Sequence, residues 1–226
     1  MESNLPAMTD NPTLHTPSTT PDTSPSTSPD TSSHTTLDTT IREPSMTASE
    51  IEIVLFAIDR SRAQFAWKCG GLDAAGLRHT HPPTTMTLGG LLKHLTLVEE
   101  KFAAMVGPNP VNPWDDHDED WEWRTAADDS PEDLYKGWHD AMTRCRTALT
   151  EALTDAPDSD APDSDALDSD SPDGDGLDRQ IVWGSARPNL RRMLMDMHDE
   201  YARHVGHADL LREAVDGLVG EDPPQS

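Results

Sequence analysis

Four segments of this chain repeat apolar residues at helical spacing, each with its own start and stop signals. More than any single motif, that pattern limits what the sequence can fold into. The first segment begins at "TASE", where Thr47 and Glu50 have capping-box spacing, and runs through Ile51, Val54, Leu55, Ile58 and Phe65 to Gly70 and Gly71. The second follows Thr87, carries Leu88, Leu91, Leu92, Leu95 and Val98 on one stripe, and stops at "GPNP". The third opens with "SPED": Ser130 suits a cap, Pro131 the first helical position, and Glu132 and Asp133 the positive helix end. Leu134, Trp138, Ala141, Cys145 and Leu149 then recur at helical spacing. The fourth covers roughly residues 188–216, with Leu190, Leu194, Met197, Tyr201, Ala208 and Leu211 inward and Gly217 as its stop. Apart from the short "QIVW" at 180–183, no β-rich run competes. Four such stripes bury one another in an all-α four-helix bundle.

The remaining segments differ in composition. Residues 1–46 are rich in Ser, Thr and Pro with isolated apolar residues, which is too little to offset the entropy of ordering, so a disordered tail is expected there. The bundle is expected over 47–217, interrupted by an Asp-rich flexible insertion at 155–178 that holds ten aspartates and no base, and followed by a short tail at 218–226. The segment 108–129 is acidic and interrupted by proline, and reads as a long loop whose Trp114, Trp121 and Trp123 anchor it over one end of the bundle. Much of the formal charge of −25 lies in the tail and the insertion, and the sign disfavours nucleic-acid binding. No apolar run is long enough to span a membrane and no leader pattern opens the chain, so a cytoplasmic protein is expected. Cys69 and Cys145 read as small buried apolar residues rather than nucleophiles.

The stretch "MHDEYARHVGHADLLREAVDG" carries the chemistry. At about 100° per residue, Glu200 and His204 lie about 40° apart on the fourth helix and His207 about 20° from Glu200, while His198 falls about 200° away. The shared face borders the apolar stripe, where an ionised carboxylate is costly unless a cation or strong donor compensates it. An i, i+4 pair supplies only two corners of a coordination polyhedron, so a third ligand can be sought on another helix. His94 lies inside the apolar stripe of the second helix, three residues after Leu91 and four before Val98, and Gly89 and Gly90 just before it suggest a close approach. His94, Glu200 and His204 together form a two-imidazole, one-carboxylate set with room for a fourth group, the arrangement of a catalytic zinc site, though imidazole also serves nickel and iron.

"MTLGGLLKHLTLVEE", "DEYARHVGHADLLREAVDG" and "WKCGGLDAAGLR" resemble the DinB/YfiT-like superfamily, in the branch near the amino-terminal domain of mycothiol-dependent maleylpyruvate isomerase. The resemblance covers roughly residues 47–217 without the insertion. It implies a divalent metal, usually zinc, on residues matching His94, Glu200 and His204, which activates a low-molecular-weight thiol such as mycothiol. It does not imply the isomerisation, because the isomerase's second, carboxy-terminal domain has no counterpart here. "HD" at 198 and 199 stands where similar proteins more often have an apolar residue and an acid. The expected activity is thiol S-transfer to a small electrophile, with His207 or Tyr201 positioning or exchanging a proton. As an alternative, His207 supports the ligands by hydrogen bonding. Two other readings stay open: a non-catalytic metal- or ligand-binding bundle with a regulatory or stress role, and a metal-free interaction protein. A homodimer formed through an exposed helix face is a further expectation.

Overall fold

A computed structural model describes residues 37–108, 111–154 and 176–225. Its helices are α1 (Glu50–Cys69), α2 (Ala74–Leu77), α3 (Leu88–Val106), α4 (Trp121–Thr125), α5 (Pro131–Thr154) and α6 (Leu190–Asp216), with a 3₁₀ turn at Ala126–Asp128. Among the described residues there is no strand, only two isolated bridges around "QIVW" and its return. No helix among them is long and apolar enough to cross a membrane.

The four long helices are the four expected ones. Thr87 caps α3 by accepting from the Gly90 amide, and Asn189 caps α6 by accepting from Arg192. Gly217 ends α6 in the left-handed conformation, with φ 80°. The start of α1 is corrected. Its capping box is Ser49 with Glu52, two residues beyond the expected Thr47 and Glu50. A second difference lies between Pro108 and Asp129, where α4 and the 3₁₀ turn replace the expected irregular loop. The prolines of that segment end at Pro113, so nothing forbids helix from Trp121 onward. Lys93 then anchors the turn, donating to Thr125 (2.8 Å) and Asp129 (2.7 Å).

The long helices pack chiefly as two pairs, α1 on α6 and α3 on α5, with α3 also crossing α6. Leu91, Leu92 and Leu95 of α3, Trp138 and Cys145 of α5, Phe65 of α1 and Leu194, Met197 and Tyr201 of α6 are fully or almost fully buried between them. Inside this core lies a polar hub to which each long helix contributes one side chain. Arg62 of α1 donates through Nε and Nη2 to the two carboxylate oxygens of Glu99 on α3, at 2.8 and 2.7 Å. The Tyr201 hydroxyl of α6 donates to Glu99 Oε1 at 2.5 Å and accepts from the Trp138 indole of α5 at 2.9 Å. Burial opposes the charge on Arg62, but Glu99 more than offsets it and holds the guanidinium pKa well above its usual value.

The flanking segments are partly built into the fold. Residues 37–46, expected in the tail, lie against the bundle: Leu37 is buried, and the Ile41 amide donates to Gln225. Residues 218–225 return along α1, where Asp222 accepts from Arg60 and Gln64. At the base of the acidic insertion, Arg179 Nη1 donates to the carbonyl of Ala152 at 2.6 Å. The tail expected over residues 1–36 and the insertion over 155–175 lie outside the described residues. Both cysteines are buried, and burial pushes each thiol pKa up, consistent with inert packing residues.

Removing one hub partner leaves the other under-paired in the interior. Glu99→Ala takes the bidentate partner from the buried Arg62 guanidinium and leaves it only the half-exposed Asp59 at 2.8 Å, and is expected to destabilise the protein by about 3 kcal/mol, the low end for breaking a buried pair. Urea unfolding followed by circular dichroism measures this. A change below about 1 kcal/mol, the scale of an exposed pair, would show that the hub does not hold the helices together.

Candidate metal centre

Helical phase and the α3/α6 crossing bring His94, Glu200 and His204 together. One ligand atom from each lies within 4.8 Å of the other two. His204 Nε2 is 3.4 Å and His94 Nε2 3.9 Å from the same oxygen, Glu200 Oε2. Donors about 2.0–2.1 Å from one tetrahedral ion would be separated by about 3.3 Å, so these gaps are close to the edges of a coordination polyhedron. His94 Nε2 is buried with no hydrogen-bond partner, which is unusual for a polar atom unless something else satisfies it. The three donors therefore fit a divalent cation. Glu200 itself is held ionised: the neighbouring imidazoles, His204 first and then His94, lower its pKa against the opposing effect of burial.

Each imidazole is oriented from behind. His94 Nδ1 lies 3.2 Å from Glu122 Oε1, which also accepts from the Trp114 indole at 3.1 Å. Burial would raise the Glu122 pKa, but the Trp114 bond, its backbone bond and His94 together lower it, so the group is an ionised acceptor. His94 Nδ1 must then be the donor, and the lone pair of neutral His94 sits on Nε2, facing Glu200. His204 is backed by His207, with Nδ1 atoms 3.3 Å apart. Burial first, then His204, lowers the His207 pKa, which favours a neutral ring able to accept from His204 Nδ1.

Two aromatic contacts complete the shell. The Trp123 ring stacks on His94 with centroids 4.9 Å apart, and Trp114 lies 6.0 Å away. Gly90 permits this approach, since a Cβ there would sit 2.9 Å from Trp123 Cε3. Gly89 does the same for α2, where a Cβ would meet the Leu77 carbonyl at 3.1 Å. The close approach expected at "GG" is thus by a neighbouring turn and a tryptophan. A cleft of about 460 Å³ opens beside His94 and Glu200, lined by Val98, Lys101, Phe102, Met105, Trp114 and Met193 among others.

The remaining expected residues lie as follows. His207 is beside the triad, in contact with His204. Tyr201 is turned about 100° from Glu200 by the helix, and its hydroxyl is committed to Glu99 and Trp138 in the interior. His198 lies on the side of α6 that faces α1, in a groove with Phe56 and Arg60. Glu122 was not anticipated; its one signal was its place between Trp121 and Trp123 in a loop expected to cover the bundle.

This is a helical bundle with a candidate cation site at the edge of a cleft. The chain belongs to the mycothiol-S-transferase family, a DinB-like family whose model matches residues 54–217. No curated protein and no solved structure matches it significantly.

For a cation on the triad, Glu122→Ala is expected to weaken affinity about 10–100-fold, the usual effect of losing a carboxylate behind a histidine ligand. Competition with a chromophoric chelator reads this, with far-UV circular dichroism confirming an intact bundle. Unchanged affinity would separate Glu122 from metal binding.

Proposed function

We propose that the chain is a metal-dependent thiol transferase that joins mycothiol, or a similar low-molecular-weight thiol, to a small electrophile. The observation that carries this reading is the orphaned Nε2 of His94, facing Glu200 and His204 beside an open cleft, in a member of this family. His94, Glu200 and His204 would hold the cation; two imidazoles with one carboxylate form a catalytic zinc set, and nickel or iron accept the same donors. A bound divalent cation supplies the Lewis acidity that keeps a thiol deprotonated near neutral pH.

The protein's own groups prepare that chemistry. Glu122 fixes the tautomer of His94, and His207 accepts from His204, so both rings present Nε2 to the same point. Trp123 and Trp114 shield His94 from water on one side, while the cleft leaves the Glu200 side open to reactants. A volume of about 460 Å³ suits small molecules. In the transfer, the thiolate sulfur bonds to the electrophilic carbon, the leaving group departs with the bonding electron pair, and the thiol proton passes to solvent. His207 acts as a support for His204, and Tyr201 acts through the hub by holding α6 in phase.

Protein purified without chelator is expected to carry about one equivalent of divalent metal, and His94→Ala or His204→Ala to bring this near zero and conjugate formation to the uncatalysed rate. Elemental analysis beside thiol-conjugation assays checks both. Wild-type protein that holds a full equivalent yet conjugates no thiol to a panel of electrophiles would instead favour a non-catalytic metal-binding bundle.

A further inference from the structure

We propose that the cleft beside the triad selects electrophiles carrying a carboxylate on an apolar body, and that Lys101 is the residue that recognises the carboxylate. This deepens the transferase reading and rests on it. Lys101 lies seven residues after His94 on α3, about 20° away around the helix and about 10 Å along it, so both face the same cleft. Val98 lies between them on α3, and Phe102 and Met105 of α3, Met193 of α6 and Trp114 also line the cleft and form its apolar part.

The other charged groups of the cleft are already engaged. Arg192 donates to Asp196 at 2.7 Å, Asp199 accepts from Arg203 at 2.9 Å, and Glu200 belongs to the triad. Lys101, half-buried, makes no ion pair or hydrogen bond among the described residues. A cation left without a protein partner on the wall of this partly apolar cleft, whose other charges are already paired, is matched by an anion on the ligand. The net charge of −25 makes the point sharper, because the overall field repels anions and only a short-range contact can retain one. The ligand must also be long enough to set its electrophilic carbon at the Glu200 end while its carboxylate reaches Lys101, which describes an arene with substituents at opposite ends.

4-(Chloromethyl)benzoate and its methyl ester are suitable probes. Sulfur displaces chloride in both, chloride leaving with the electron pair, and only the acid carries the anion. Lys101→Met is expected to raise KM for the acid about tenfold, the scale of one charge-assisted hydrogen bond, with kcat retained. The ester should be unaffected, Lys101→Arg should recover much of the loss, and metal content should stay at the wild-type level. Equal effects on acid and ester, or none, would overturn the assignment. Binding of the unreactive 4-methylbenzoate to metal-loaded protein, measured by calorimetry, tests the same contact without turnover. Weakening by Lys101→Met supports the contact even if wild-type protein transfers no thiol, which would count against the transferase reading alone. Affinity untouched by Lys101→Met but lost on metal removal would place the carboxylate on the cation and overturn the proposal.

Discussion

The Arg62–Glu99–Tyr201–Trp138 hub is the contact on which the rest of the bundle depends. Apolar stripes alone leave helices some freedom to slide and rotate, because many registers bury similar area. A buried, bidentate ion pair with two further hydrogen bonds has few geometries that leave no charge unpaired, so it penalises the alternatives. The hub and the triad also share their helices. Glu99 and His94 are on α3, and Tyr201 adjoins Glu200 on α6. Satisfying Glu99 with Tyr201 therefore sets the rotation of α6 that turns Glu200 and His204 toward His94.

The triad is supported from two directions of unequal rigidity. His204 and Glu200 sit on a 27-residue helix braced by the core. His94 is also on a long helix, but its ring is held by Glu122, Trp114 and Trp123 from the segment between α3 and α5. That segment is tied down chiefly by Lys93 and by the fit of Trp123 over Gly90. Geometry at one ligand thus depends on a short five-residue helix and its contacts.

Much of this was legible in the sequence, because periodicity and caps act locally. The four long helices, the start of α3 after Thr87, the Gly217 stop and the shared face of Glu200 and His204 follow from local pattern alone. The α1 start was ambiguous, since Thr47–Glu50 and Ser49–Glu52 have the same spacing, and only the fold chooses between them. Glu99 follows Leu95 by four residues and so continues the apolar stripe, a signal for a buried charge; its partner Arg62 is on a different helix and no local pattern joins the two. Glu122 was hidden for another reason. It stands in a run of similar acids, and which one reaches His94 is decided by the path of the chain, not by residue type.

The link from Arg179 to the Ala152 carbonyl has a consequence for how this protein tolerates change in length. This bond ties the end of α5 to the residues that lead into α6, so the two ends of the connection between them are fixed to each other directly. Extending such a connection twofold adds only about 0.6 kcal/mol of closure entropy. Changes in length between those ends therefore carry little penalty, and the positions of His94, Glu200 and His204 do not depend on them.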